Sequence, residues 1–184
     1  MNLATLGVLA VAGATSCAAP AGATNAYVNV AQRIYSSERD GSAVRASLRR
    51  ISHDRAAMRG SRAELLRQLY LPGFHVVRLR VVHGSRVTDV GGKFVVAGRS
   101  ERGLTISIQD VIGYVKLVSK LTGQGVLVRG RAGHVVASDP AFAKASLPSS
   151  GAVSVDGHEY QVSSFTEPGF AGEKLRIWLL GQPT

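Results

Sequence analysis

The sequence predicts an α+β fold: a mostly antiparallel sheet with a long N-terminal helical segment packed on it and one helix between strands. Three observations support this class. Residues 24–70 are rich in arginine and carry apolar side chains at helical spacing, residues 74–180 are mainly short alternating segments between turn signals, and a capped helical stretch at 111–121 lies among them. No Pro/Ser-rich linker separates the halves. We therefore expect a signal segment at 1–23 and a single domain at 24–184.

The N-terminal segment has the features of an export signal. Residues 1–23 contain no charged side chain, and their apolar run is too short to span a hydrocarbon core of about 30 Å. Ala21-Gly22-Ala23 fits the small-x-small pattern of a signal peptidase site, and Cys17, the single cysteine, allows lipid attachment as a second interpretation. The predicted localisation is secreted or extracytoplasmic, with cleavage after Ala23 and a membrane tether through a lipidated Cys17 as the two alternatives.

The helical half divides into three predicted segments. Apolar positions at 27–35 form the first stripe, a polar break at 38–41 ends it, and Ser42 is predicted to cap the second, whose apolar positions run from 44 to 58. Ser61 and Glu64 have capping-box spacing and predict a third, short helix that stops near Pro72.

The second half predicts hairpins with one helix between strands. Residues 74–82 alternate, so that Arg78 and Arg80 face away from the apolar side, and residues 83–86 read as a turn. Residues 98–103 are predicted to be a polar loop before a strand at 104–109. Asp110 is a predicted N-cap for the helix at 111–121, Gly123 ends that helix, and Asp156-Gly157 is the strongest hairpin signal of the chain.

Several function classes find no support in the sequence. The five histidines fall near turns and no two have i, i+4 spacing, which argues against a metal site. Neither a nucleophile elbow nor a nucleotide loop is present, and Gly91-Gly92-Lys93 lacks the further residues of a phosphate loop. We therefore predict no enzymatic activity, no metal and no cofactor.

The net charge of +10 favours anionic partners. Arginines decorate the first helices, but residues 36–69 contain no aromatic side chain, which argues against nucleic acid. The alternatives left open for these arginines are a solvated face and electrostatic docking to an anionic envelope surface.

The second half also resembles a known family. The stretch from Leu104 through Asp110 to Val118, the hairpin-like stretch from Gly125 to Pro140, and the last two strand-like stretches, 157–165 and 175–180, are similar in pattern and order to Cache (PDC) sensor domains. The resemblance covers roughly residues 27–180. It implies a PAS-like extracytoplasmic sheet with a small-ligand pocket on one face, and a sensory role exercised without an output module of its own, through a separate membrane signalling partner.

Polar side chains on otherwise apolar elements are the predicted ligand-binding residues. These residues are chosen for their position, because a hydroxyl, amide or guanidinium on a half-buried face requires a hydrogen-bonding partner. The predicted set is Arg78, Arg80, Ser107, Gln109, Asp110, Tyr114, Tyr160 and Ser164. Of these, Ser107, Gln109 and Tyr160 are predicted to line one pocket, closed in part by the loop at 98–103.

Two functions are therefore expected from the sequence. The first is an extracytoplasmic, sensory domain that binds a small organic ligand. The alternative is a basic cell-envelope-binding protein with no small-molecule pocket. A closed pocket with convergent polar groups on the sheet would favour the first, and a filled sheet face with an arginine patch the second.

Overall fold

The computed structural model describes residues 21–73 and 75–182, with the backbone alone for residues 21–25 and 132. It confirms the α+β fold with antiparallel sheets and a long N-terminal helix. The helices are α1 (Ala21–Asp40), α2 (Ser42–Ser52), α3 (Arg55–Met58), α4 (Arg62–Leu69), α5 (Val111–Thr122) and α6 (Pro140–Lys144). The strands are β1 (Arg78–His83), β2 (Arg86–Gly91), β3 (Arg99–Glu101), β4 (Leu104–Ser107), β5 (Gly125–Arg129), β6 (Val135–Ala137), β7 (Ser150–Val155), β8 (His158–Pro168) and β9 (Lys174–Gly181).

Most of the predicted helix ends are confirmed by their caps. The Asp110 carboxylate accepts a hydrogen bond from the Gly113 N–H at 2.6 Å, and Gly123 ends α5 in the left-handed region. The Ser61 hydroxyl accepts from the Glu64 N–H at 3.4 Å. The Glu64 carboxylate, however, accepts from Arg67 and not from the capping residue. The bond to the Arg67 guanidinium, one turn away, is charge-assisted on both sides. It is therefore stronger than a bond from the Ser61 backbone N–H, which would complete the capping box.

The predicted second helix is in fact two helices. Gly41, and not Ser42, occupies the N-cap position of α2, and α2 ends at Ser52. Asp54 then caps α3, where its carboxylate accepts from the N–H groups of Ala56 and Ala57 at 2.9 and 3.0 Å. A carboxylate that satisfies two otherwise unpartnered N–H groups starts a new helix there even though the apolar spacing continues through it.

The strands form two antiparallel sheets. The four-stranded sheet has the order β2-β1-β4-β3, and the five-stranded sheet has the order β6-β5-β9-β8-β7. The prediction of a polar loop at 98–103 is wrong, because Arg99–Glu101 pairs with β4 as an edge strand. An isolated antiparallel bridge pairs Val95, between β2 and β3, with Asp110, the N-cap residue of α5.

Three apolar clusters hold these layers together. Helices α1 and α5 pack on one face of the five-stranded sheet, where Val126, Val128, Leu175, Ile177 and Leu179 are buried. Helices α2 to α4 pack on the four-stranded sheet through a second cluster that includes Leu48, Ile51, Leu65, Leu79 and Ile106. A third cluster fills the other face of the five-stranded sheet, with Leu127, Phe142, Val162, Trp178 and Leu180 buried.

The export prediction falls mostly on residues 1–20, which lie outside the described residues, as does Cys17. Helix α1 is already formed at Ala21, within the predicted signal segment. Of the helices in the described ranges, none is both long and apolar enough to cross a bilayer.

Candidate functional site

A basic cleft of about 300 Å³ opens beside β1. Four chain segments that are distant in sequence form its walls: β1, the turn after β2, the 3-10 turn Arg131–Gly133, and the 3-10 turn Phe170–Gly172. Its lining residues are Arg78, Arg80, Lys93, Arg131, His134, Phe170, Ala171, Gly172 and Glu173. The two predicted arginines of β1 thus lie in one site, together with cationic residues that the sequence did not single out.

Arg78 is rigidly held at the floor of this cleft. Its Nε and Nη2 donate to the two carboxylate oxygens of Asp89 at 3.0 and 2.9 Å, and its Nη1 donates to the Lys93 carbonyl at 2.9 Å. The guanidinium carbon lies 4.6 Å from the centre of the Phe170 ring, which is a cation–π distance. A planar fork with this many partners has little freedom left, so Arg78 organises the cleft while Asp89 neutralises much of its charge.

Arg80, Lys93 and Arg131 supply the uncompensated charge. Within the described ranges, none of their side chains makes an ion pair or a hydrogen bond. The four cationic side chains of the cleft and the two carboxylates of Asp89 and Glu173 together carry a net charge of +2. The cleft is therefore suited to a ligand that carries two negative charges.

Glu173 and Phe94 shape the wall that carries Arg131. The Glu173 carboxylate accepts from the Arg131 backbone N–H at 2.8 Å and so fixes the turn instead of pairing with a cleft side chain. The rings of Phe94 and His134 pack 5.3 Å apart. Ala171, in the 3-10 turn Phe170–Gly172, has φ 54°, which is uncommon for a residue with a Cβ and marks a locally constrained turn.

Other predicted ligand residues have internal roles. The Ser107 hydroxyl, on a residue that is 1% exposed, donates to the Val96 carbonyl at 2.9 Å and lies 3.1 Å from the Gln109 carbonyl. The Asp110 carboxylate caps α5. The buried Tyr114 hydroxyl donates to the Ala31 carbonyl of α1 at 3.0 Å, and burial raises the pKa of Tyr114. These three side chains therefore connect elements of the fold to one another.

Tyr160 and Ser164 share a face of β8, as predicted, but that face is filled. The Tyr160 ring packs edge-on against Phe142 of α6 at 5.3 Å. The Ser164 hydroxyl donates to the Ser149 carbonyl at 2.9 Å. The prediction that Ser107, Gln109 and Tyr160 line one pocket is wrong, since Ser107 belongs to the four-stranded sheet and Tyr160 to the five-stranded one.

Gln109 lies in a second cavity, of about 380 Å³, between α2 and the end of β4. Its lining residues are Glu38, Ala43, Ala46, Ser47, Gly73, His75, Ile108 and Gln109. The Gln109 amide packs over Gly113, where a methyl group would collide with it. Among the predicted residues, then, the structure brings Arg78 and Arg80 together and places Gln109 in a separate cavity.

Lys93, Arg131 and His134 are the residues that the sequence analysis missed. Lys93 follows the glycine pair 91–92 and Arg131 follows Gly130. Gly91 has φ 106°, and a methyl group there would collide with the Val77 carbonyl, so only glycine allows the turn to lie this close to β1. The sequence signal that could have identified Lys93 and Arg131 as cleft residues is a cationic side chain directly after a glycine turn.

Within the described residues, no three His, Cys, Asp or Glu side chains come together as a metal site. Comparison of the chain with protein-family models, curated proteins and solved structures found no match.

Proposed function

We propose that this chain is an extracytoplasmic, non-enzymatic domain that binds a small anionic organic ligand in the basic cleft, as a sensory domain does. The observation that carries the proposal is the convergence of Arg80, Lys93 and Arg131 from three chain segments, without ion-pair partners in the described ranges, around an Arg78 fixed by Asp89. The recognised chemistry is an oxyanion, either carboxylate or phosphate, because guanidinium and ammonium groups bind both.

Preorganisation supports this proposal. A guanidinium already fixed by four hydrogen-bonding and stacking contacts does not have to be ordered when a ligand arrives, which reduces the entropic cost of binding. The aromatic side chains Phe170 and His134 add apolar area for an organic body. The Cache resemblance favours the same class of function.

Calorimetric titration of the full chain with citrate and with pyrophosphate tests the proposal, with chloride at matched ionic strength as the control anion. Binding of at least one oxyanion is expected, and Arg80→Gln, Lys93→Gln and Arg131→Gln should each weaken it, because a charge-assisted hydrogen bond contributes about 1.5–3 kcal/mol. The exposed Arg33 on α1 provides the matched control, Arg33→Gln. Absence of binding, or equal weakening by Arg33→Gln, would contradict the proposal.

A second candidate function is docking to an anionic envelope surface, and one observation favours it. Most arginines within residues 42–69 are exposed, whereas Arg50 is half-buried and its Nη1 donates to the Gln68 side chain at 2.6 Å. The apolar side chains of the same helices are buried against the four-stranded sheet. The exposed set is Arg45, Arg49, Arg55, Arg59, Arg62 and Arg67. Arg67 is engaged with Glu64, which reduces its share of the available charge.

Vesicle co-sedimentation distinguishes this candidate from the first. If the helices dock, the chain should bind phosphatidylglycerol vesicles but not phosphatidylcholine vesicles. Binding should fall steeply with salt, since screening shortens to about 8 Å at physiological ionic strength. Charge reversal at Arg45, Arg49 and Arg59 should abolish it while citrate binding persists. Retention of vesicle binding by that triple variant would refute this candidate.

A further inference from the structure

The cavity beside Gln109 differs in chemistry from the basic cleft. Its walls are the C-terminal end of α1, α2, residues 73 and 75, and residues 108 and 109 that follow β4, and most of its lining is apolar, with Ala43, Ala46 and Ile108 among the contributors. At about 380 Å³ it falls within the range of roughly 300–1,000 Å³ that is usual for small-molecule sites. An apolar cavity of this size with a few polar groups is the usual form of such a site.

Two uncharged polar side chains of this cavity have unused hydrogen-bonding capacity. Ser47 is 2% exposed, and its hydroxyl makes no hydrogen bond to any described residue. The Gln109 side-chain amide likewise has no hydrogen-bond partner in the described ranges. These two side chains are therefore available to hydrogen-bond with a polar group that enters the cavity.

Among the described residues that line the cavity, Glu38 is the one carboxylate and His75 the one imidazole. Glu38 lies at the C-terminal end of α1 and makes no ion pair within the described residues, although the chain as a whole carries a charge of +10. Desolvation by burial raises the pKa of Glu38. The nearby arginine Arg39 donates to Asp40 at 2.7 Å, so the closest guanidinium in sequence is already engaged. A carboxylate of this kind is stabilised by a cationic group that enters the cavity.

We propose that this cavity is a second ligand site, which binds a small organic cation: a primary ammonium group on a compact apolar body. The ammonium group donates to the Glu38 carboxylate, and the Ser47 hydroxyl and the Gln109 amide oxygen accept its remaining hydrogen bonds. The apolar body packs on Ala43, Ala46 and Ile108. The site is separate from the basic cleft and opposite to it in charge preference, so it extends the proposed function without depending on it.

Calorimetry with benzylammonium, benzyl alcohol and benzoate tests this site on the full chain. Benzylammonium should bind, benzyl alcohol should bind more weakly because it lacks the charge, and benzoate should be excluded from this cavity. Glu38→Gln preserves shape and removes charge, and should weaken benzylammonium by about ten- to a hundredfold, the worth of one charge-assisted hydrogen bond. It should leave benzyl alcohol unchanged.

Three further variants make the outcome decisive. Ser47→Ala should weaken benzylammonium severalfold, Ala46→Leu should fill the cavity and block both ligands, and Glu101→Gln, on an exposed carboxylate of β3, should change nothing. Circular dichroism verifies that each variant is folded. The proposal is overturned if benzylammonium does not bind, if Glu38→Gln and Glu101→Gln behave alike, or if Lys93→Gln in the basic cleft changes benzylammonium affinity as strongly as Glu38→Gln does.

Discussion

Replacing Ser107 distinguishes an internal hydrogen bond from a ligand contact. If the hydroxyl faced a pocket, an apolar replacement would remove a desolvation cost and would leave stability unchanged or raised. The structure predicts the opposite, because the hydroxyl donates to the Val96 carbonyl at 2.9 Å and the residue is 1% exposed. Ser107→Ala is therefore expected to be destabilising.

The expected loss of stability depends on which polar groups the substitution leaves without a partner. Ser107→Ala leaves the Val96 carbonyl without the hydroxyl donor, and removing one partner of a buried hydrogen bond costs about 1–3 kcal/mol. Ser107→Val replaces the hydroxyl by a methyl group and adds a second methyl group where the chain at 96–97 lies against β4, and overpacking costs about 1–3 kcal/mol more. The order of stability should be wild type, then Ser107→Ala, then Ser107→Val.

Urea denaturation measures the difference in free energy of unfolding between each variant and wild type, and a thermal melt measures the difference in Tm, both followed by circular dichroism. For a domain of this size, each kcal/mol of destabilisation lowers Tm by roughly 2–4 °C, so Ser107→Ala should melt about 2–12 °C below wild type. Citrate affinity should be unchanged, because the hydroxyl lies outside the basic cleft. Unchanged or raised stability in both variants would refute the assignment of Ser107 to the internal network.

Three further predictions address the cleft, the filled sheet face and the second cavity. Asp89→Asn should lower the free energy of unfolding by about 1 kcal/mol, because it breaks a partly exposed ion pair, yet should tighten citrate binding measured by calorimetry; weaker binding would contradict the charge assignment of the cleft. Phe142→Ala should cost about 3–5 kcal/mol in urea unfolding, since the ring is 4% exposed in a filled apolar cluster, whereas a cost below 1 kcal/mol would mean that this face is open. Burial raises the pKa of Glu38 and of Glu167, so the folded state holds these protons more tightly than the unfolded state and stability falls as pH rises above about 4.5. Glu38→Gln should reduce that fall in urea titrations at successive pH values, with Glu167 accounting for the remainder, and an unchanged pH profile would contradict the prediction.

Local signals were sufficient to predict the class of fold and many of its boundaries. Asp110 and Gly123 delimit α5 because a cap and a left-handed residue act within one turn of the chain. The Asp156-Gly157 hairpin has the positive φ values, 49° and 79°, that its sequence demands. Both partners of each of these interactions lie within a few residues of each other, so the sequence alone is enough to predict the cap or the turn.

Contacts between distant segments could not be predicted in the same way. The sequence predicts a ligand role for Ser107 because it is polar on an apolar strand, but its partner, the Val96 carbonyl, belongs to a segment with no periodic pattern. Gly98 allows that segment to approach, since a methyl group there would collide with the Ile106 carbonyl. Which hydroxyl is satisfied internally therefore depends on a close backbone approach, and the sequence marks such an approach only by a glycine.

In the candidate site, too, the local pattern could be predicted and the contacts between distant segments could not. Alternation along β1 predicts that Arg78 and Arg80 share a face, and both do line the basic cleft. Lys93 and Arg131 reach it through turns, and nothing local indicates that these turns lie side by side. The ion pair between Arg78 and Asp89 could not be predicted either, since it depends on the register of the β1–β2 hairpin.

The response of the two proposed sites to salt follows from their charges and provides a joint test. Anion binding at the cleft is assisted by the +10 charge of the whole chain, so added salt should weaken citrate binding. A cation bound at Glu38 is repelled by that same charge and attracted only by the adjacent carboxylate. Salt screens the distant repulsion more than the short, partly buried attraction, so benzylammonium affinity should stay constant or rise between 20 and about 150 mM salt. If both affinities fell in parallel, a common, nonspecific mode of binding would explain both better than two sites of opposite charge.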